Sequence, residues 1–185
     1  MIPDSNAVDG TSESSCVLIR RQLTLFVPER SSNRIEAVRR VVDPVQFALI
    51  PAHVTLCREE ELESFVGWPK RLQSMVFALT LQFGRAVPFS GHGIMLPCID
   101  GVDQFRNLRQ AVLGSDSIRE HQPHLTLAHP RNPKASGNTI EAALQLPLSF
   151  EITFDTIRLI EQTGSGQWKT LESFPPDHSA RLAER

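Results

Sequence analysis

The sequence predicts an α+β fold of two pseudo-symmetric lobes, with antiparallel sheets, outer helices and a central cleft. Two observations carry that expectation. The run "AHVTLC", Ala52 to Cys57, recurs about 70 residues later as "PHLTLAHP". Each run follows a segment of helical period that itself follows a β-rich one, so the chain reads as two similar halves. At 185 residues, 41% of them hydrophobic, it is long enough to bury a sizeable core without disulfide staples.

The elements follow in order. "CVLIRRQLTLFVP", Cys16 to Pro28, is apolar, rich in β-formers and stopped by proline, which predicts a strand. "SSNRIEAVRRVVDP" changes period: Ile35, Val38, Val41 and Val42 share a helical face, Asn33 and Glu36 are spaced like a capping box, and Pro44 lies beyond the end. "HVTLC" is the second strand. In "REEELESFVGW", Leu62, Phe65 and Val66 point inward, the "EEELE" run is a solvated face, and Gly67 and Pro69 are stop signals. Three short strands, "MVFALTLQFG", "AVPFS" and "GIMLPCI", precede a helix at Asp103 to Gly114. "HLTLAHP" is the next strand and "NTIEAALQL" a short helix. Two strands, "LSFEITFDTIRLIEQ" and "WKTLESF", close the fold around a "TGSGQ" turn.

Strand alternation places His53, Thr55 and Cys57 on one face with Val54 and Leu56 on the other, and it sets His124 and Thr126 against Leu125 and Leu127. A lone His-x-Thr is weak evidence, since an isolated strand histidine is usually a hydrogen-bonded sheet residue. Composition yields two such matches by chance in roughly one chain in twenty-five, so the repeat promotes all four residues together.

Bulk properties exclude several classes. A formal charge of −2 supplies no global field for a polyanion, so any phosphate must be held by local positive charge. Cys16, Cys57 and Cys98 are odd in number, widely spaced and without a C-x-x-C, which indicates neither a disulfide framework nor a cysteine zinc site and fits a reducing cytoplasm. The opening residues have neither a basic n-region nor an apolar h-region, and no run of 18 apolar residues occurs, so neither export nor a membrane is expected. Residues 1–15 read as a disordered lead, 16–175 as one bilobal domain and 176–185 as a loose tail.

Paired "HVTL" and "HLTL" strands, an opening strand and helix, and the closing "IEQTGSGQWKTLESF" hairpin resemble the two-histidine phosphoesterases over roughly residues 17 to 175. That superfamily includes RNA 2',3'-cyclic phosphodiesterases and 2',5' RNA ligase-like proteins. The resemblance implies metal-independent chemistry on cyclic or 2',5'-linked phosphodiesters; the first reading is hydrolysis of 2',3'-cyclic phosphates on RNA ends or small cyclic nucleotides, with no cofactor and a monomer expected. It implies His53 and His124 as catalytic residues and Thr55 and Thr126 as substrate-binding ones. It also implies that His53 protonates the leaving oxygen and His124 activates water, an order the residues themselves leave open.

The chemistry suits these side chains. Opening a cyclic phosphate needs one proton taken from water and one given to the departing ribose oxygen, and imidazole, with an ordinary pKa near 6.5, does either. A threonine two residues on shares the histidine's face, and its hydroxyl can donate to a phosphate oxygen whose charge grows in the transition state. Arg58 and Arg131, just past each motif, are candidate phosphate ligands, although surface arginines are common. "HQPHLTLAH" admits a metal reading, but alternation turns His129 to the face opposite His124, and His121 precedes the strand at the cleft rim. With no tyrosine in the chain, only Phe or Trp can stack on a base, Trp168 and Phe174 among the candidates. Alternatives to hydrolysis are 2',5' ligation of RNA ends and a module that binds nucleotides or RNA ends without turnover.

Overall fold

A computed structural model describes residues 17–175. The expected lead and tail, with Cys16, lie outside the described residues. Nine strands and six helices run β1 (Ile19–Phe26), α1 (Glu29–Val42), α2 (Pro44–Leu49), β2 (His53–Cys57), α3 (Glu59–Ser64), α4 (Trp68–Gln73), β3 (Leu79–Phe83), β4 (Val87–Phe89), β5 (Gly93–Asp100), α5 (Val102–Leu113), β6 (His124–Ala128), α6 (Ile140–Ala143), β7 (Phe150–Phe154), β8 (Ile157–Thr163) and β9 (Lys169–Phe174). No helix among the described residues is long and apolar enough to cross a membrane.

Two antiparallel sheets form the lobes. One has the order β2-β1-β8-β9; the other runs β4-β5-β3-β7, with β6 paired to β5. The duplicated unit is strand, helix, motif strand: β1–α1–β2 in one lobe and β5–α5–β6 in the other. The register repeats in detail. His53 pairs with Phe26 and Thr55 with Thr24; His124 pairs with Pro97 and Thr126 with Met95. Both ladders shift just beyond the threonine, at Leu23/Thr24 and at Ile94/Met95.

That shift corrects one expectation. The extra residue of the irregularity turns the last position of the motif strand inward, so Cys57 is fully buried in the core rather than beside His53, and Ala128 is buried in the same way. Burial pushes the Cys57 thiol up to about 12, which leaves it unreactive.

The second lobe is not simply the second half of the chain. "LSFEITFDTIRLIEQ", expected as one strand, breaks at Asp155–Thr156 into β7, which joins the second sheet beside β3, and β8, which returns to the first beside β1. Ile152 and Phe154 on β7 and Ile157 and Ile160 on β8 are all buried, and the exposed Asp155 marks the crossing between the sheets.

Several termini also differ from expectation. α1 starts at Glu29 behind Pro28, so Asn33 is an exposed interior residue and the proposed capping box does not form. Pro44 lies beyond the end of α1 as expected and also opens α2, because Asp43 caps that helix by accepting from the Gln46 N–H and proline is favoured at the first helical position. Gly67, at φ 84°, and Pro69 likewise begin α4, and Val66 is 85% exposed instead of inward. α4 has a structural purpose: Arg71 donates to the Val112 and Leu113 carbonyls and closes the C-terminus of α5.

Candidate active site

Both motif strands lie at sheet edges, and β2 and β6 come together where the lobes meet. His53, Thr55, His124 and Thr126 line one cleft of about 640 Å³, together with Arg58 and Arg131. All six residues singled out by the sequence are therefore brought to a single site.

Each catalytic candidate is held by the same local device. His53 Nδ1 lies 2.8 Å from the Pro51 carbonyl and His124 Nδ1 2.9 Å from the Gln122 carbonyl, two residues back in each case. A carbonyl only accepts, so Nδ1 carries the hydrogen and Nε2 is the nitrogen left to exchange a proton. Phe26 packs edge-on to the His53 ring at 6.2 Å, and Phe89 packs on His124 at 5.2 Å. Burial lowers the His53 pKa to about 4 against the raising effect of the Pro51 carbonyl, and the charges of Arg39, His124 and His129 lower it further.

Two buried arginines support the motifs. Arg39 on α1 bonds the Glu36 carboxylate at 2.6 Å and donates to the carbonyls of Gln46 and Ile50. The other Glu36 oxygen accepts from the Ala52 N–H, so the pair clamps the chain directly ahead of His53. Burial lowers the Arg39 pKa from its ordinary value, opposed by Glu36. Arg109 on α5 pairs with Glu61 and donates to the carbonyls of Leu56 at 2.9 Å and Arg119 at 2.8 Å. Glu61, expected on a solvated face, is buried for this reason.

The sequence reading missed these arginines. A signal was present: Ile35-x-x-Val38-Arg39-x-x-Val42 and Phe105-x-x-Leu108-Arg109-x-x-Val112 repeat one pattern, and all eight side chains are buried. Asp43 was missed too. Only 2% exposed, it accepts from the His129 N–H and the Asn132 amide and so fixes the turn that carries Arg131.

His121 does more than rim the cleft. Its Nε2 donates to the Thr55 carbonyl at 3.2 Å, tying the approach to the second motif onto the strand of the first, and its ring lies 6.0 Å from that of His124. Burial lowers its pKa to about 4, with Arg109 and Arg58 contributing positive charge. His129 also lines the cleft, because β6 ends at Ala128 and strand alternation does not extend to it. Among the described residues, no three His, Cys, Asp or Glu side chains gather as a metal ion would need. Phe174 is core, whereas Trp168 opens onto the cleft.

Two facing lobes, each presenting a His-x-Thr strand to a shared cleft, define a two-histidine phosphoesterase architecture. The 2'-5' RNA ligase superfamily matches residues 27–166, and the chain belongs to that family. Among solved structures, E. coli LigT complexed with NADP+ is similar at a TM-score of 0.54 and 16% identity, covering 85% of this chain and 97% of that one. E. coli LigT complexed with phosphate gives 0.49 and 15% identity, covering 85% and 96% respectively. No curated protein matches the chain.

Proposed function

We propose that the protein hydrolyses 2',3'-cyclic phosphates, on RNA ends or small nucleotides, by metal-independent acid–base catalysis between His53 and His124. The observation that carries this reading is the matched pair of imidazoles in one cleft, each with Nδ1 committed to a carbonyl and Nε2 left for the substrate. One Nε2 takes a proton from the attacking water while the other protonates the departing ribose oxygen, as displacement in line at phosphorus requires. In the order implied by family resemblance, His53 gives the proton and His124 takes it. The negative phosphate offsets the burial that lowers the His53 pKa, raising its affinity for the proton it must donate.

Thr55 and Thr126 donate to the non-bridging oxygens, and Arg58 and Arg131 neutralise the phosphate's charge. Neither arginine has a carboxylate partner among the described residues. The test is product analysis of a 2',3'-cyclic mononucleotide and of a short RNA with a cyclic end, in chelator, with wild type and the His53→Ala and His124→Ala variants. Conversion to a single monophosphate isomer, lost in both variants, is the expected result. Turnover that chelator abolishes, or that survives either substitution, overturns the mechanism.

A further inference from the structure

The cleft extends well past the histidines. The face of β1 that carries Phe26, the fully buried Thr24, Gln22 and Arg20 supplies two of the cleft's lining residues, Gln22 and Arg20. It starts beside His53, passes the Thr24–Thr55 pair and ends at Arg20, whose guanidinium sits 5.4 Å from the centre of the Trp168 ring. Arg20 is four residues beyond Thr24, about 13 Å along the strand. Set against a stacking repeat of about 3.4 Å per nucleotide, that distance spans more than one nucleotide.

The far end is a built surface rather than a chance contact. Gln162, 2% exposed, accepts from Arg20 through its side-chain oxygen and donates to the Gly166 carbonyl at 2.6 Å, which fixes both the guanidinium and the β8–β9 turn. The Trp168 N–H donates to the Leu49 carbonyl, pinning the same turn to α2. Arg20 Nε is buried and has no hydrogen-bond partner among the described residues. A guanidinium within cation–π distance of an indole sets positive charge beside an aromatic ring, the combination that binds an unstacked nucleobase and its adjoining phosphate.

We propose that Arg20 and Trp168 form a second subsite that holds a base upstream of the reacting phosphate, so that the substrate is the end of an RNA strand rather than a cyclic mononucleotide. The inference rests on the cyclic phosphodiesterase reading above and adds the substrate class.

The experiment compares kcat/KM for a 2',3'-cyclic mononucleotide and for an RNA tetramer with a 2',3'-cyclic end, in wild type, Trp168→Ala, Trp168→Phe and Arg20→Gln. Wild type is expected to favour the tetramer about tenfold, with Trp168→Ala and Arg20→Gln each erasing most of that preference while mononucleotide turnover changes less than about twofold. Trp168→Phe, which keeps a stacking ring, retains most of the preference. Equal rates on the two substrates in wild type, or variants that depress both alike, overturn the subsite while leaving the phosphodiesterase reading intact. Absence of turnover with either substrate removes the phosphodiesterase reading instead. The subsite is then read from the affinities of a tetramer and a mononucleotide, each ending in a 3'-phosphate, and equal affinities overturn it.

Discussion

The half-site around His53 and the half-site around His124 share a plan: an edge strand opening on histidine, a carbonyl two residues back that locks Nδ1, a register shift past the threonine, and a helix that buries an arginine behind the motif. They differ in where that arginine reaches. Arg39 stays within its own lobe, gripping the carbonyls that precede His53. Arg109 crosses over, holding Leu56 in the other lobe's motif strand and Arg119 ahead of its own. Duplication accounts for two equivalent histidines, but only an asymmetric contact fixes the distance between them. Arg109, helped by His121 on the Thr55 carbonyl, is one such contact, and Asp43, accepting from the His129 N–H and the Asn132 amide, is another.

The most direct way to break the equivalence is to remove each histidine. His53→Ala and His124→Ala are each expected to lower kcat by about 10²- to 10⁴-fold, with the double variant little worse than either alone, because proton donor and acceptor act as a unit. A substrate with sulfur in place of the leaving ribose oxygen separates the roles, since a thiolate departs without a proton. It should restore turnover to the variant lacking the acid, which family resemblance makes His53, and leave the other impaired; rescue of His124→Ala instead reverses the assignment.

The arginines come next in size. Arg109→Met strands the Glu61 carboxylate in the core, and breaking a buried pair in this way costs about 3–5 kcal/mol, readable in urea unfolding. Arg39→Met is expected to cost less, because Glu36 is more exposed than Glu61 and still accepts from the Ala52 N–H. In whatever fraction stays folded, Arg109→Met should depress kcat more than KM, and Arg39→Met should raise the His53 pKa by removing a nearby positive charge. Equal stability losses in the two variants would refute the asymmetry.

Smaller again are Thr55→Val and Thr126→Val. Each removes the hydroxyl proposed to donate to the phosphate, an expected loss of about ten- to a hundredfold in kcat/KM, with the fold unchanged because neither hydroxyl is needed to hold a strand. Equal losses in the two variants would mean that the phosphate sits symmetrically between the lobes.

Legibility in the sequence follows from the range of the forces involved. Motif strands, their facing and the α5 boundaries were readable because period and terminal glycine are local signals, as at Gly114, whose φ of 68° ends the helix. Pro44, Gly67 and Pro69 lie beyond the ends of α1 and α3 as the sequence predicts, and each also opens the next helix, because proline and glycine mark a boundary without stating its direction. Glu61 and Arg109 were unreadable singly: a charged residue is called to the surface by its own chemistry, and only its partner, 48 positions away, buries it. The arginine repeat in α1 and α5 could have been found by aligning the chain with itself from each motif backwards. Cys57 was misplaced because a register shift is a property of two strands and cannot be seen in one.

The smallest predicted effect is also the one that best separates burial from catalysis. His53 and His121 are both held neutral by burial, with pKa values near 4, whereas an unfolded chain titrates histidine near 6.5. Above about pH 6.5 both states are neutral at these positions and stability owes nothing to them. As pH falls from there to about 4 the unfolded chain takes up protons that the folded one refuses, so stability declines across that window. His121→Gln removes one of the two titrations and should make the decline shallower, measured as urea midpoints at pH 7 and pH 5. Activity responds differently: acidification that weakens the fold puts on His53 the proton it is proposed to donate, so kcat/KM should not fall in parallel with stability between about pH 6.5 and 5. A kcat/KM that falls together with the urea midpoint over that range would mean that burial and catalysis are not separable at His53, and the contrast between the two half-sites would then lie in their arginines alone.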